Sequence, residues 1–351
     1  MRVAIEAAPL TLTSGGLARY ATELSLALAR CFPEDEFFLV SDQNFHMPEA
    51  VPPNLRRGGG PRNRAERRWW LWGLNRELQR LGADLVHGPD FSVPYLAQRP
   101  SVLTLHDVSP WMDARWQQDA ARVRRRTPVL LKLGTATMIV TPGEAVRRQA
   151  IEHFGLHPSR VVAVPEAAAS WFRPVPVASA GAPYFLFVGT FEPRKNLPAL
   201  LEAWREVRRH HAVDLVLAGR RRADAPDVGE GPGLRILGEV PDDNLPALYS
   251  GALALVYPSL YEGFGLPVLE AMQCGACVIA SRAVADPGGD AAIYANSPAE
   301  LADAMRHVVE RPDILAGYRA RSVRRAGEFS WERTARLTHD VYEEALRRFR
   351  N

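Results

Sequence analysis

The 351-residue chain is 47% hydrophobic and sets 43 Lys and Arg against 40 Asp and Glu, a net charge of +3. That length exceeds one compact core and fits two domains of about 170 residues each, and so small a net charge carries no nucleic-acid signature. The three cysteines, Cys31, Cys274 and Cys277, make no disulfide framework; Cys274 and Cys277 have C-x-x-C spacing, but between a helix end and the next strand, whereas a redox motif opens a helix.

In chain order, Met1-Arg-Val-Ala-Ile-Glu6 reads as a first strand rather than a signal peptide, and no run approaches the ~18 apolar residues of a membrane span, so a cytoplasmic protein is expected. Ser14-Gly-Gly16 follows and opens a helix through Tyr20 and Leu24; a plain tight turn explains such a pair as well as a phosphate loop does. Further strands are predicted at 37–40, 84–87, 102–105, 138–140 and 161–164, with helical patterns between most of them, which describes a doubly wound sheet. Gly58-Gly-Gly60 reads as a short flexible loop. The basic, aromatic segment 62–72 suits either a sheet-covering helix, with Trp70, Leu74 and Leu78 on one side, or a membrane surface where arginines meet lipid phosphates. A proline and small-residue stretch between Arg173 and Pro183 reads as a linker. It separates a first domain, 1–173, from a second, 174–330.

The second domain repeats the pattern, with strands predicted at 184–188, 213–218, 234–237, 252–256 and 278–280. Pro241-Asp-Asp243 reads as the N-cap of the helix holding Leu245 and Leu248, not as a metal-binding Asp-x-Asp loop. After the fourth of these strands comes Tyr261-Glu-Gly-Phe-Gly-Leu-Pro-Val-Leu-Glu-Ala-Met272. Gly263 and Gly265 let bare backbone approach a ligand, and Pro267 suits the first position of a helix running from about 266 to 275. Its free N–H groups and positive dipole end make a seat for a phosphate, with Glu270 in the first turn and Glu262 in the loop before it. A last helix, about 331–351, has no strand after it and takes Ser330 as its N-cap.

Composition singles out one further residue. Only Lys132 and Lys195 among the basic side chains are lysines. Where arginine serves almost everywhere, a retained ammonium in Val188-Gly-Thr-Phe-Glu-Pro-Arg-Lys-Asn196 suits a point charge on a phosphate.

The string from Glu262 to Glu270, with Gly263, Phe264, Gly265, Pro267, Ala271, Cys274 and Gly275, resembles the Glu-x7-Glu signature of retaining glycosyltransferases with the GT-B fold, family 4 or group 1. The resemblance extends over nearly the whole chain. It implies an α/β architecture of two Rossmann-like doubly wound domains facing a central cleft, with the terminal helix crossing back to the first. It assigns Lys195 and Arg194 to the donor phosphates, with backbone N–H groups of Gly265 and Leu266. Glu270 takes the ribose hydroxyls, Glu262 faces the transferred sugar, and the segment ending at Val240 reads the nucleobase. From the first domain, Gly15 and Gly16 approach the diphosphate and His106 lies beside the anomeric centre. His87 and Asp90 belong loosely to the acceptor side. Three departures stand out. Thr190 replaces an arginine that many relatives place after the strand glycine, Pro165-Glu-Ala167 stands where Pro-Asn-Gly is frequent, and the segment 281–290 is short.

The expected activity is metal-independent, retaining transfer of a hexose, mannose-like by the Glu-Pro-Arg-Lys-Asn wording, from a nucleoside-diphosphate sugar such as GDP-mannose. The acceptor is a glycan or lipid-linked hydroxyl, and no cofactor, metal or nucleic acid is needed; peripheral contact with the inner face of a membrane goes with a lipid-linked acceptor. Two other readings share the features: a non-catalytic nucleotide-sugar-binding protein, which needs neither His106 nor Glu262, and an epimerase or phosphorylase on the same two-domain plan. A phosphorylase needs a cofactor lysine of its own, for which Lys132 is left over.

Overall fold

A computed structural model describes residues 1–12, 15–113, 116, 120–177 and 181–350. The chain divides into two compact units, Met1–Glu166 with Ser330–Asn351, and Ala167–Phe329. The division falls ahead of the proline-rich stretch because Ala168, Ala169 and Phe172 belong to the second core, where the Gln273 amide donates to the carbonyls of Ala169 (2.9 Å) and Phe172 (2.7 Å).

The first unit holds a seven-stranded parallel sheet in the order β3-β2-β1-β4-β5-β6-β7. Its strands are β1 (Arg2–Glu6), β2 (Glu36–Val40), β3 (Leu55–Arg57), β4 (Leu85–Gly88), β5 (Ser101–Thr104), β6 (Met138–Thr141) and β7 (Val161–Ala163). The second holds six parallel strands in the order β10-β9-β8-β11-β12-β13. These are β8 (Tyr184–Val188), β9 (Asp214–Ala218), β10 (Leu234–Gly238), β11 (Ala254–Tyr257), β12 (Cys277–Ala280) and β13 (Ala292–Tyr294). Helices cover both faces of a parallel sheet, so central strands are apolar throughout; Phe185, Leu186 and Phe187 of β8 are all fully buried. In each sheet the strand order reverses beside the first strand of the unit, at β1/β4 and β8/β11. A Rossmann-type sheet opens a crevice there, at the carboxyl ends of its strands.

Several sequence expectations need correction. Edge strands β3 and β13 were not predicted, being three residues each and, in β3, two-thirds exposed arginine. The glycines at 58–60 are packed rather than flexible: a Cβ on Gly58 would lie 2.5 Å from Val40 Cγ1 and one on Gly60 2.7 Å from the Ser41 carbonyl, and Gly59 N donates to Glu77 (2.8 Å). Residues Trp69–Gly73 form a π-helical turn, closed by Leu74 N on the Trp69 carbonyl. Its extra residue per turn brings Trp69 onto the buried face with Leu74 and Leu78, and Trp70, half-buried, packs against the same cluster. Asp242–Asn244 is a 3-10 turn leading into helix Leu245–Gly251, whose N-cap position is Asn244 rather than an aspartate.

The last helix, Trp331–Arg350, packs within the first unit along helix Gly16–Cys31. Ser330 Oγ accepts from Arg333 N (3.1 Å), and Thr334 Oγ1 donates to the Pro165 carbonyl (2.6 Å). His87 ties this helix to the sheet. Its ring contacts Tyr342 OH at 2.6 Å and Thr104 Oγ1 at 2.8 Å, and it is fully buried, which drives its pKa down to about 3. His87 is therefore a structural residue of the sheet, not a lining of an acceptor site.

Candidate functional site

The predicted cations and Glu262 meet at the carboxyl edge of the second sheet, where its strand order reverses. Gly189 (φ +154°) leaves β8 against Gly219 after β9, so closely that a Cβ on Gly219 would fall 2.0 Å from the Gly189 carbonyl oxygen. The chain then forms a 3-10 turn, Pro193–Lys195, and Asn196 enters the left-handed region (φ +56°) before helix Leu197–Arg208 begins. Two hydrogen bonds tie this loop to the one after β11. Leu260 N donates to the Arg194 carbonyl (2.8 Å), and the Asn196 amide to the Pro258 carbonyl (3.3 Å).

Within this frame Lys195 Nζ donates to Glu262 Oε1 (2.5 Å) and to Tyr257 OH (2.7 Å). Arg194 Nη1 lies 3.4 Å from Glu262 Oε2, and its Nε donates to Glu192 Oε1 (2.6 Å). Arg222 takes the other oxygen of Glu192 (2.6 Å) and pairs with Asp224 (2.7 Å). Burial opposes the charge on Glu262, yet Lys195 and Arg194 outweigh it and hold the carboxyl below its ordinary range. Burial lowers the Lys195 ammonium, against the pull of Glu262. Tyr257 is pushed well above the ordinary phenol value by burial and by Glu262, so its hydroxyl stays neutral.

The helix after the motif runs Leu266–Gln273, with Gly265 (φ +102°) before it. A side chain on Gly265 would strike Val284 Cγ1 at 2.6 Å, so only glycine fits that turn. The helix starts at Leu266, which makes Pro267 its second residue and places Glu270 beyond the first turn, one correction to the expected arrangement. Glu270 is buried, and its Oε2 accepts from Tyr249 OH (2.9 Å). Gly263 is half-buried, the Glu262 carboxylate is nearly buried, and Phe264 and Leu266 are buried. Val240 is half-buried beyond β10, in the loop where the Gly238 carbonyl accepts from Gly219 N (2.7 Å). Cys274 and Cys277 are buried and their thiols are pushed up to about 12, which suits packing rather than redox work.

In the first unit Gly15 (φ +105°) precedes helix Gly16–Cys31, with open space where a Cβ would stand. Ser14, which starts the glycine string, lies outside the described residues. His106 follows β5. Its Nε2 is 2.7 Å from the Pro89 carbonyl after β4, its Nδ1 3.2 Å from Glu166 Oε1, and Tyr20 packs edge-on at 4.7 Å.

Sequence reasoning placed Arg194, Lys195 and Glu262 together, as the fold does, and marked Glu166 as a departure, but missed Tyr257, Glu192, Arg222 and Tyr249. Glu192, an acid set between a glycine turn and Pro-Arg-Lys, carried a visible hint; the others lie far from their partners in sequence.

Two Rossmann-like α/β units, the second with a clasped charge cluster at its sheet's crevice, make a doubly wound α/β protein. Residues 14–168 match the family model described as Glycosyltransferase Family 4, and residues 182–311 that of glycosyl transferases group 1. The chain is 34% identical over 290 residues to O-antigen chain mannosyltransferase B of Escherichia coli, covering 74% of each protein. It belongs to the family 4, group 1 glycosyltransferases. It is also 32% identical over 180 residues to the serotype-specific mannosyltransferase WbdA of Escherichia coli, a match over 46% of this chain and 22% of that longer protein. Among solved structures it resembles sucrose-phosphate synthase from Thermosynechococcus elongatus (TM-score 0.75, 19% identity, 98% of each chain). It also resembles Anabaena HepE in complex with UDP and glucose (TM-score 0.70, 15% identity, 98% of this chain and 99% of that one).

Proposed function

We propose that this glycosyltransferase moves a mannose-like hexose from a nucleoside-diphosphate sugar, GDP-mannose first, to a glycan or lipid-linked hydroxyl, with retention at the anomeric carbon and without a metal. The observation that carries this reading is the Lys195–Glu262–Arg194 cluster at the β8/β11 crevice, next to a glycine-opened helix start. The mannosyltransferase names of the relatives favour the sugar.

As the sugar–phosphate bond breaks, its electron pair stays on the terminal phosphate. Lys195 and Arg194 neutralise the charge that develops there, and the Gly265 and Leu266 amides add hydrogen bonds, so cations of the chain do what a metal does elsewhere. Glu270 accepts from the ribose hydroxyls, the loop ending at Val240 meets the base, and Gly15 and Gly16 present backbone to the diphosphate. His106 steadies the sugar. The acceptor hydroxyl attacks from the face that the phosphate leaves, and its proton passes to the departing phosphate oxygen, which accounts for retention without an enzymic nucleophile.

The test is an incubation with GDP-, UDP-, ADP- and dTDP-sugars and a mannan acceptor, with the product linkage read by NMR. The reading expects one donor to give an α-linked product, with turnover unchanged by a chelator. An inverted product, or activity lost to the chelator and restored by magnesium, contradicts it.

A further inference from the structure

His106 is held between two acceptors. A carbonyl oxygen only accepts, as does an ionised carboxylate, so the Pro89 carbonyl at 2.7 Å and Glu166 Oε1 at 3.2 Å each call for a proton on the ring nitrogen they face. A neutral imidazole has one such proton; the imidazolium has both. The clasp is rigid as well: Pro165, next to Glu166, is pinned through its carbonyl by Thr334 Oγ1 (2.6 Å), and Tyr20 and Phe91 stand edge-on to the ring at 4.7 and 6.1 Å.

We propose that Glu166 is a positioning residue that locks the His106 ring with both nitrogens protonated, so that this enzyme presents an imidazolium to the transferred sugar. The inference rests on the placement of His106 at the sugar under the proposed function. It also gives a role to the Glu166 carboxylate, since an uncharged amide in its place has no charge to hold an imidazolium.

Burial opposes a charge on the ring, but Glu166 after β7 and Asp90 after β4 favour the cation and together raise the His106 pKa. Arg126, from helix Ala121–Lys132, acts on Asp90. Asp107 spends its Oδ1 on Ser109 N (3.0 Å) and Oγ (2.7 Å), His87 is kept neutral by burial, and Tyr20 is raised to a value at which it stays protonated.

The experiment is an NMR titration of the His106 ring in the full chain, wild type against Glu166→Gln and Glu166→Asp, beside the pH profile of turnover. In Glu166→Gln the titration midpoint moves to lower pH, and Glu166→Asp restores part of the shift. The alkaline limb of kcat, falling about tenfold per pH unit, moves with it by the same interval while the donor KM changes little. A midpoint unmoved in Glu166→Gln overturns the inference whatever turnover does. A midpoint that moves while the kcat profile stays fixed overturns the use of the charge in transfer. Full turnover in His106→Ala instead sinks the underlying site reading, and the ring titration tells the two failures apart.

Discussion

Lys195 and Glu262 stand 67 residues apart in the chain, on loops after strands β8 and β11, and their charged atoms meet at 2.5 Å. The contact bridges the place where the second sheet reverses its strand order, so the fold brings a nearly buried ammonium and carboxylate to its ligand crevice. Glu262 pairs with both cations that the proposed function assigns to a phosphate.

Removing one partner leaves the other charge buried. Lys195→Ala should therefore destabilise the protein by about 3 kcal/mol, the low end for a broken buried pair, because Arg194 still faces Glu262 at 3.4 Å. The double variant Lys195→Met with Glu262→Gln should recover part of that loss. Thermal melts of wild type, Lys195→Met, Glu262→Gln and the double variant check this; additive losses in the double variant contradict the pairing.

Gly265 joins a left-handed φ to a close neighbour. Gly265→Ala forces a Cβ to 2.6 Å from Val284 Cγ1 at φ +102°. A cost of about 1–3 kcal/mol is expected, with weakened binding of nucleoside diphosphates, read by melting and calorimetry. Wild-type stability and affinity would contradict the geometry.

Glu6, the last residue of β1, is 2% exposed, and burial pushes its carboxyl from 4.5 up to about 8 despite a hydrogen bond from Ala8 N (3.0 Å). Below pH 4.5 both folded and unfolded states hold this proton, and the site contributes nothing to pH dependence. Between 4.5 and 8 only the folded state retains it, so stability drops by about 1.4 kcal/mol per pH unit; above 8 the penalty is constant. Glu6→Gln removes the penalty. Its gain in Tm should grow from pH 4.5 to 8 and then level off, whereas a gain independent of pH contradicts the buried acid.

With Trp69 turned inward, Trp72 remains 46% exposed beside exposed Arg62, Arg64, Arg67, Arg68 and Arg76, and the Asn75 amide reaches the carbonyl of Leu96, itself 40% exposed (3.1 Å). No helix among the described residues is long and apolar enough to cross a membrane. Trp69, Leu74 and Leu78 make this segment a cover for the sheet; peripheral membrane contact by its exposed side would require salt-sensitive flotation on anionic liposomes that is lost in Trp72→Ala with Arg67→Ala and Arg68→Ala. Absence of salt-sensitive binding makes the arginines ordinary solvated charge.

Much of this was legible in the sequence, and the exceptions share a physical cause. Apolar runs located the central strands because a parallel sheet buries both faces, but β3 and β13 at the edges are too short to show a pattern. Arg194, Lys195 and Glu262 were visible because glycine, proline and charge crowd into two short motifs. Tyr257 and Arg222 were not, since hydrogen bonding to Lys195 and Glu192 depends on strand order rather than on local spacing. Trp69 joins Trp70, Leu74 and Leu78 instead of sharing a side with Trp72 because a π-helical turn does not keep the 3.6-residue period.

The most direct measurement is calorimetric titration of GDP-mannose into the wild-type chain and Lys195→Ala, with Lys132→Ala as the control. The account predicts binding to wild type and control, and a loss of at least about thirtyfold, equivalent to about 2 kcal/mol, in Lys195→Ala. Equal affinity in all three proteins would contradict the claim that this cluster receives the diphosphate.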